Sequence, residues 1–202
     1  MTKACYGGSI DVPRETQKRL TTFVELLLAE SKRQNLIARS TADDVWNRHI
    51  DDSLQLTTYM EDHRTQKILD LGSGPGLPGL VLAIARPDWV IHLVESRRKR
   101  CEFLAAAIDH LELRNARVHC SNVRTLEPFK VDVITARAFA PLPSLIDMAK
   151  PFARMRTRWV LPRGAKGATE LAELPKRHRS MFHVEQSLTD SDAVILVGKG
   201  VP

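Results

Sequence analysis

The middle of the chain contains a carboxylate and three glycines whose spacing suits the binding of a nucleoside. Asp70 ends a short apolar run, and Gly72, Gly74 and Gly76 follow at every second position. Glycines at this spacing allow the backbone to approach a ligand closely. Dinucleotide loops read G-x-G-x-x-G instead and place a pyrophosphate at a helix N-terminus. The shorter spacing favours an uncharged or zwitterionic nucleoside such as S-adenosylmethionine.

A second carboxylate follows at the separation expected for binding a ribose. Residues 90–94 are predicted to form the next strand, and Glu95 ends it. A carboxylate about 20 residues beyond a glycine turn, at the end of the second strand, can accept hydrogen bonds from both ribose hydroxyls. Asp70 is expected to brace the glycine turn. The alternative for the whole segment is a tight turn in an ordinary α/β sheet.

The elements that would position these groups alternate between strands and helices from residue 67 onward. The two terminal strands have a short connection, so they must be antiparallel to each other. The pattern predicts an α/β fold, a Rossmann-like class I methyltransferase sheet that is mostly parallel with one antiparallel strand. The predicted strands are 68–71, 90–94, 116–120, 131–135, 159–161, 181–187 and 193–197.

Residues 1–64 are predicted to form a helical extension that packs on a methyltransferase core of residues 65–202. Asp11 and Pro13 are typical of a helix start. Ser40 and Thr41 each precede an aspartate by three positions, which predicts a capping box. The helix after it has His49, Asp52 and Ser53 beside an apolar stripe, so these polar groups should face an interface.

The composition indicates one soluble domain, or a core with a short extension. The chain has 202 residues, 43% of them hydrophobic, and a formal net charge of +6. Such a basic balance is compatible with a polyanionic partner.

No apolar run reaches the ~18 residues needed to cross a bilayer, and no signal peptide is recognisable, so we expect a cytoplasmic protein. The three cysteines lack C-x-x-C spacing and are expected to be reduced, with no metal site.

Ligands of open α/β sheets bind beyond the carboxyl ends of the strands. Polar residues that follow a strand are therefore expected near the ligand, and those that precede a strand are expected at the opposite edge. Asp132, Arg156 and Arg158 precede strands and should lie at the opposite edge. The residues expected at the ligand edge are 72–77, Glu95, Ser96, 122–124, Arg137 and Arg163.

The residues at this edge exclude several kinds of methyl transfer. The N-P-P-[YF] motif of amine methylation is missing after the fourth strand, where residues 135–141 read T-A-R-A-F-A-P. Attack through carbon 5 of a pyrimidine needs a cysteine nucleophile in the cleft, and neither Cys101 nor Cys120 has that setting. Guanine N7 needs neither a base nor a nucleophile, because its lone pair can attack a sulfonium methyl directly.

Two basic runs could bind RNA phosphates. Residues 97–100 read R-R-K-R at a predicted helix start, where cations oppose the helix dipole. The run is either a phosphate-binding patch beside the cleft or a solvated face. Residues 176–179 are also basic but precede a strand, so they should lie away from the cleft.

The chain resembles the bacterial 16S ribosomal RNA guanine-N7 methyltransferases, also called glucose-inhibited division protein B. The resemblance covers residues 35 to about 164. The motifs that carry it are N-L at 35–36, R-H-I-x-D-S-L at 48–54, D-L-G-S-G-P-G-L-P-G at 70–79, E-S at 95–96 and A-R-A-F-A at 136–140. Family members usually have an acidic residue where this chain has Arg124, and Leu-Lys-Gly where it has Arg163.

The resemblance implies S-adenosylmethionine as cofactor and a guanine in the decoding-region loop of 16S ribosomal RNA as target. The partner is then the small ribosomal subunit or its assembly intermediate, and we expect a monomer without membrane contact. The alternatives are a methyltransferase for a small molecule or protein, and a non-catalytic ribosome-assembly factor. The residues expected at the cofactor are Gly72, Ser73, Gly74, Gly76, Leu77, Glu95, Ser96, Asn122, Val123, Arg124 and Arg137.

The remaining site residues are assigned to catalysis or to RNA, with alternatives left open. Arg137 either binds the methionine carboxylate, steers the guanine or pairs with Glu95 or Asp132. Asn35 either reads the guanine edge or ends a helix. His49, Asp52 and Ser53 either contact RNA or dock the N-terminal helices. The expected catalytic residues are Arg137, His49 and Asn35, and the expected RNA contacts are Arg48, Asp52, Ser53, Arg97, Arg98 and Arg163.

Overall fold

A seven-stranded sheet with helices on both faces organises the chain, in a computed structural model that describes residues 10–60 and 65–202. The strands are β1 (Lys67–Leu71), β2 (Val90–Glu95), β3 (Ala116–Cys120), β4 (Val133–Thr135), β5 (Arg158–Arg163), β6 (Phe182–Gln186) and β7 (Val194–Lys199). The α-helices are α1 (Arg14–Gln34), α2 (Arg39–Ala42), α3 (Asp52–Leu54), α4 (Gly79–Ala85), α5 (Arg98–His110), α6 (Leu142–Ala149), α7 (Gly167–Ala172) and α8 (Lys176–Arg179). A π-helix (Trp46–Asp51) precedes α3, and 3-10 turns cover Gln55–Tyr59, Val123–Thr125 and Lys150–Phe152.

The strand order is β3-β2-β1-β4-β5-β7-β6, and β7 is the one antiparallel member. The strand order and directions confirm the predicted Rossmann-like sheet, mostly parallel with one antiparallel strand. Residues 68–71 of β1 are buried, as expected for a parallel strand covered on both faces. Because β1, β2, β4 and β5 run parallel, their carboxyl ends meet at one edge.

The N-terminal helices share a hydrophobic core with one face of the sheet. Leu20 and Phe23 of α1 belong to the same buried cluster as Ile68, Leu80 and Leu93. A second cluster on the other face contains Leu69, Ile134 and Trp159, among others. The burial of α1 stabilises it more than its sequence alone would. The predicted division between residues 64 and 65 lies at the end of segment 61–64, outside the described residues.

Three local predictions need correction. Ser40 and Thr41 lie inside α2, which begins without a side-chain cap, and the Thr41 hydroxyl donates to Ala38 O instead (2.9 Å). α1 begins after Pro13 without the predicted Asp11 cap. Cys101 and Cys120 form a disulfide bond between α5 and β3, because their Cα atoms lie 5.7 Å apart when the helix packs on the sheet.

Within residues 10–60 and 65–202, no helix has the length and apolar character needed to cross a bilayer. In the same ranges, no group of three or more His, Cys, Asp or Glu could hold a metal ion. Asp132, Arg156 and Arg158 lie together at the amino-terminal edge of the sheet, as predicted. Cys5 falls outside the described residues.

Candidate active site

The glycine turn after β1 has a backbone conformation that side chains rarely adopt. Gly72, Gly74 and Gly76 have φ values of +68°, +52° and +89°. The amides of Gly72 and Ser73 donate to Val94 O (2.8 and 3.1 Å), which attaches the turn to β2. A Cβ atom on Gly72 would lie 2.3 Å from the Phe139 ring. The positive φ values therefore favour glycine at all three positions, and at Gly72 the Phe139 ring leaves no room for a Cβ atom.

Asp70 braces this turn from within the protein. Its side chain is fully buried, and Oδ2 accepts a hydrogen bond from Gly79 N (3.2 Å) at the start of α4. Burial raises the pKa of Asp70 to about 7, against the opposing effect of that hydrogen bond. Asp70 thus joins the strand to the helix across the glycine turn, as expected from its position.

Glu95 is the acidic group best placed for a ribose. It is 5% exposed at the end of β2, and its Oε2 accepts from Gly74 N (3.0 Å). Its Oε1 accepts from the amides of Ser96 and Arg97 (both 2.8 Å). A carboxylate has about four acceptor positions, so one remains after these three bonds. Glu95 therefore fixes the turn and can still accept a hydroxyl proton.

A cavity of about 310 Å³ lies in front of Glu95 and the glycine turn. Of the residues predicted at the cofactor, Gly72, Glu95, Ser96, Asn122, Val123 and Arg124 line it. Ser73, Gly74, Gly76 and Leu77 do not line it; Ser73 and Leu77 are 0% and 2% exposed. The hydroxyl of Ser73 donates to Asp70 O (3.0 Å), which assigns it to the turn.

Among the residues that line this cavity, sequence reasoning missed Arg100, Phe139 and Met148, as well as Val94, Ser121 and Ala138. Arg100 Nη1 lies 3.9 Å from Glu95 Oε2. Its membership of the basic run at 97–100 was the available signal. Phe139 is in the A-R-A-F-A motif, whereas Met148 comes from α6 and carries no sequence signal.

The segment after β3 is held by a side-chain cap from Asn122. Asn122 Oδ1 accepts from Arg124 N (3.0 Å) and caps the 3-10 turn at Val123–Thr125. Val123 is buried, while the Arg124 side chain is exposed. This arrangement favours backbone and apolar contacts with an adenine over a contact with the Arg124 side chain.

A second cavity, of about 380 Å³, shares Ala138 with the first. Arg137 lines it and binds the π-helix rather than Glu95 or Asp132. Its Nη1 donates to Asp52 Oδ2 and to His49 Nδ1 (both 3.2 Å), and its Nη2 also donates to His49 Nδ1 (3.2 Å). Arg137 thus joins the end of β4 to the N-terminal helices.

The hydrogen bonds of His49 determine its tautomer. Because an arginine can only donate, Nδ1 is the acceptor and Nε2 carries the proton. Nε2 lies 2.9 Å from the Thr41 hydroxyl, which in turn donates to Ala38 O. Burial and the nearby charges of Arg137 and Arg48 lower the pKa of His49 to about 4. His49 is therefore neutral at pH 7 and positions Arg137.

The loop between β6 and β7 completes this region. The Thr189 hydroxyl donates to Asp52 Oδ1 (3.1 Å), and Arg48 pairs with Asp190 (2.6 Å). Ser53 is 1% exposed, and its hydroxyl donates to His49 O (2.6 Å). Ser53 is therefore inside the protein, which corrects the expectation of an RNA contact and favours the docking alternative. Asp52 also lines the cavity, so its position is compatible with an RNA contact as well as with docking of the N-terminal helices.

Arg163 enters the second cavity from the end of β5. Its side chain is 7% exposed, and Nη1 donates to Ala140 O (3.0 Å) and lies 3.7 Å from Glu170. Its Nε and Nη2 have no hydrogen-bond partner among the described residues. Burial lowers the pKa of Arg163, opposed by Glu170. Sequence reasoning missed Glu170, which lies on α7 and lines the same cavity.

Asn35, Arg97 and Arg98 lie apart from Arg137 and His49, in a groove between α1 and α5. Asn35 has φ 56° and ends α1, with its amide donating to Ser31 O (3.0 Å). This geometry favours the helix-end alternative for Asn35 over a catalytic role. α1 therefore ends at Gln34, with Asn35 as its C-terminal cap.

Comparison with protein families gives one match over most of the chain. Residues 16–194 match the family model described as GidB, rRNA small subunit methyltransferase G. A protein named ribosomal RNA small subunit methyltransferase G from Novosphingobium aromaticivorans is 48% identical over 191 residues, which are 94% of this chain and 83% of the relative. One of the same name from Erythrobacter litoralis is 44% identical over 183 residues, covering 91% and 88% of the two chains.

Solved structures with low sequence identity have the same fold. A mutant of MtNAS in complex with S-adenosylmethionine superposes with a TM-score of 0.61 at 14% identity, over 93% of this chain and 77% of that one. The fibrillarin/Nop5p complex gives a TM-score of 0.58 at 18% identity, over 76% and 82%.

Proposed function

Because the chain belongs to the rRNA small subunit methyltransferase G family, we propose that it transfers a methyl group from S-adenosylmethionine to N7 of a guanine in 16S ribosomal RNA. The target loop is the decoding region of the small subunit. The protein acts as a monomer on the subunit or on an assembly intermediate.

The residues around Glu95 fit the cofactor. A buried carboxylate with one free acceptor position suits a ribose, and Val123, Phe139 and Met148 offer apolar surface to an adenine. The cofactor supplies an electrophilic methyl group on a sulfonium. The chain has to orient that group toward the second cavity, which begins at the shared Ala138.

The observation that carries the choice of N7 is the state of His49. At neutral pH it is uncharged, with a pKa of about 4, and both ring nitrogens are engaged. It is therefore a poor proton acceptor, and no cysteine lines either cavity among the described residues. Guanine N7 has a lone pair and no hydrogen, so its methylation requires no base.

Methylation at N7 leaves a positive charge on the guanine ring. Asp52 and Glu170 line the second cavity and can stabilise that charge. Arg137 already donates to Asp52 and His49, so it holds the wall of the cavity in place.

The test uses small subunits and 16S RNA from a strain that lacks this activity. The protein is incubated with each substrate and tritiated S-adenosylmethionine, and the RNA is then treated with borohydride and aniline. We expect label in the RNA and a new primer-extension stop at one guanine. Label on an exocyclic amine, or on ribosomal protein alone, would refute the proposal.

Arg137 is proposed to steer the guanine, because it lines the second cavity and not the one beside Glu95. An Arg137→Lys variant should lower kcat by about 10- to 100-fold, since lysine cannot reproduce the planar donor pattern. Its Kd for S-adenosylmethionine should change less than ~3-fold. Binding that weakens for S-adenosylmethionine but not for its decarboxylated analogue would instead assign Arg137 to the methionine carboxylate.

A further inference from the structure

A large groove separates the N-terminal helices from α5. Its volume is about 1450 Å³, and it is lined by seven cations and one acidic residue, Asp43. We call it the basic groove. One wall comes from α1 and α2 and carries Lys32, Arg33 and Arg39, and the other carries Arg97, Arg98, Lys99 and Arg100.

Most of the charge in the basic groove is not neutralised by the protein. Arg33 pairs with Glu30 and Arg98 with Glu102, both at exposed positions where such pairs contribute little. Arg100 lies 3.9 Å from Glu95. Within residues 10–60 and 65–202, the other four cations form no ion pair; they are Lys32, Arg39, Arg97 and Lys99.

The two walls are held at a defined separation. Gln34 Nε2 at the end of α1 donates to Lys99 O (3.0 Å) at the start of α5 and to Glu30 Oε1 (2.7 Å). Buried apolar contacts between α1 and the sheet support the same arrangement. The cations of both walls thus face the same groove, and the walls are already in place before a ligand binds.

The basic groove adjoins the cavity in front of Glu95. Arg97 and Arg100 line both the groove and the cavity in front of Glu95. A polyanion that lies along the groove is therefore guided to the cofactor cavity.

We infer that the basic groove binds the phosphate backbone of the substrate RNA, with the N-terminal helices supplying one of its two walls. The inference rests on the proposed function, since the RNA that enters the cleft must leave it along a neighbouring surface. Guanidinium and ammonium groups bind phosphates through charge-assisted hydrogen bonds. An acidic protein segment is the competing occupant, and the test separates the two.

The test compares two variants of the full chain that lose the same charges. One is Lys32→Gln/Arg39→Gln in the groove, and the control is Lys176→Gln/Arg177→Gln on α8, where both residues are exposed and line neither the groove nor the two cavities. Filter binding to protein-free 16S RNA and to small subunits is measured between 0.05 and 0.3 M KCl. Calorimetric affinity for S-adenosylmethionine reports whether each variant is folded.

Each lost phosphate contact on a single strand lowers the salt slope by ~0.7, which is about 5-fold in affinity at 0.1 M salt. The groove variant should therefore bind RNA about 25-fold more weakly, with KM raised and kcat retained, and the control within ~2-fold of wild type. Equal losses in both variants would overturn the inference. So would a loss confined to intact subunits, which would place a ribosomal protein in the groove. If the wild type transfers no methyl group, the proposed function fails while the binding comparison still tests the groove.

Discussion

At the scale of single residues, Glu95 combines a structural and a binding role. Three backbone amides bind its carboxylate, and one of them belongs to the glycine turn. A Glu95→Gln variant should bind S-adenosylmethionine about 10- to 100-fold more weakly, because hydrogen bonds to a charged group contribute about 1.5–3 kcal/mol. Titration calorimetry measures this. Glu102→Gln on the exposed side of α5 is the control, and an unchanged Kd for Glu95→Gln would contradict the role.

His49 illustrates how a residue with acid–base chemistry can act by position. Its Nδ1 accepts two bonds from Arg137, so His49→Asn should retain most activity, because Asn can present an acceptor there. His49→Leu removes the acceptor and should lower kcat by about 10- to 100-fold, since Arg137 loses a partner. The ratio of wild-type to variant kcat should be constant from pH 6 to 9, because His49 is already neutral above its pKa of about 4. A ratio that rises with pH through 6.5 would show that His49 is a base.

At the scale of elements, the glycine turn is rigid because several groups occupy the space around it. Phe139 packs on Gly72, and Asp70 Oδ2 would lie 2.5 Å from a Cβ at Gly79. Gly72 and Gly79 therefore cannot accept a Cβ atom unless their neighbours move.

A Gly72→Ala variant should lower the free energy of unfolding by about 1–3 kcal/mol, since φ is +68° and Phe139 has to move. Its affinity for S-adenosylmethionine should fall as well. Gly164→Ala is the matched control, because no heavy atom lies within 4 Å of its added Cβ, and its change should stay within about 0.5 kcal/mol. Denaturant unfolding checks both, and equal effects would count against this explanation.

The π-helix at Trp46–Asp51 is the element that brings two distant parts of the chain together. π-helical turns are rare and occur frequently at functional sites. Here the turn presents His49 to Arg137, and Asp52 follows it directly. The periodicity of an α-helix predicts a polar face but does not reveal the extra residue per turn.

At the scale of the whole molecule, the β6–β7 loop attaches the end of the chain to its beginning. Gln55 is 1% exposed, and its Oε1 accepts from Leu188 N (2.8 Å) while its Nε2 donates to Asp52 Oδ1 (3.0 Å). The bond to Leu188 crosses 133 positions of sequence, whereas the bond to Asp52 is local. They hold the wall of the second cavity that contains Asp52.

A Gln55→Leu variant should lose about 1–3 kcal/mol of stability, because it leaves the Leu188 amide without a partner. For about 200 residues this lowers Tm by roughly 2–4 °C per kcal/mol. Asp190→Asn removes only the exposed pair with Arg48 and should cost under about 1 kcal/mol. Thermal unfolding of the two variants measures both effects on Tm. A larger drop for Asp190→Asn than for Gln55→Leu would contradict the role assigned to the Gln55–Leu188 bond.

The sequence by itself determined the cofactor half of this protein. The strand at residues 67–71, the three glycines and Glu95 lie within about 30 residues, so their spacing and hydrophobic pattern are local signals. The order of strands and helices similarly predicts a mostly parallel sheet. These features depend on the backbone conformation of short segments. The residue types within each segment determine that conformation directly.

Only the tertiary structure decided how the target half is built. Arg137 meets His49 and Asp52 across more than 80 positions, Arg163 meets Glu170 beneath the second cavity, and Cys101 pairs with Cys120 because α5 packs on β3. The wall of the basic groove on α1 and α2 has no motif of its own. The Arg137 contacts join residues that are far apart in sequence, and the Arg163 and cysteine contacts depend on how neighbouring elements pack, so none of them follows from a local pattern.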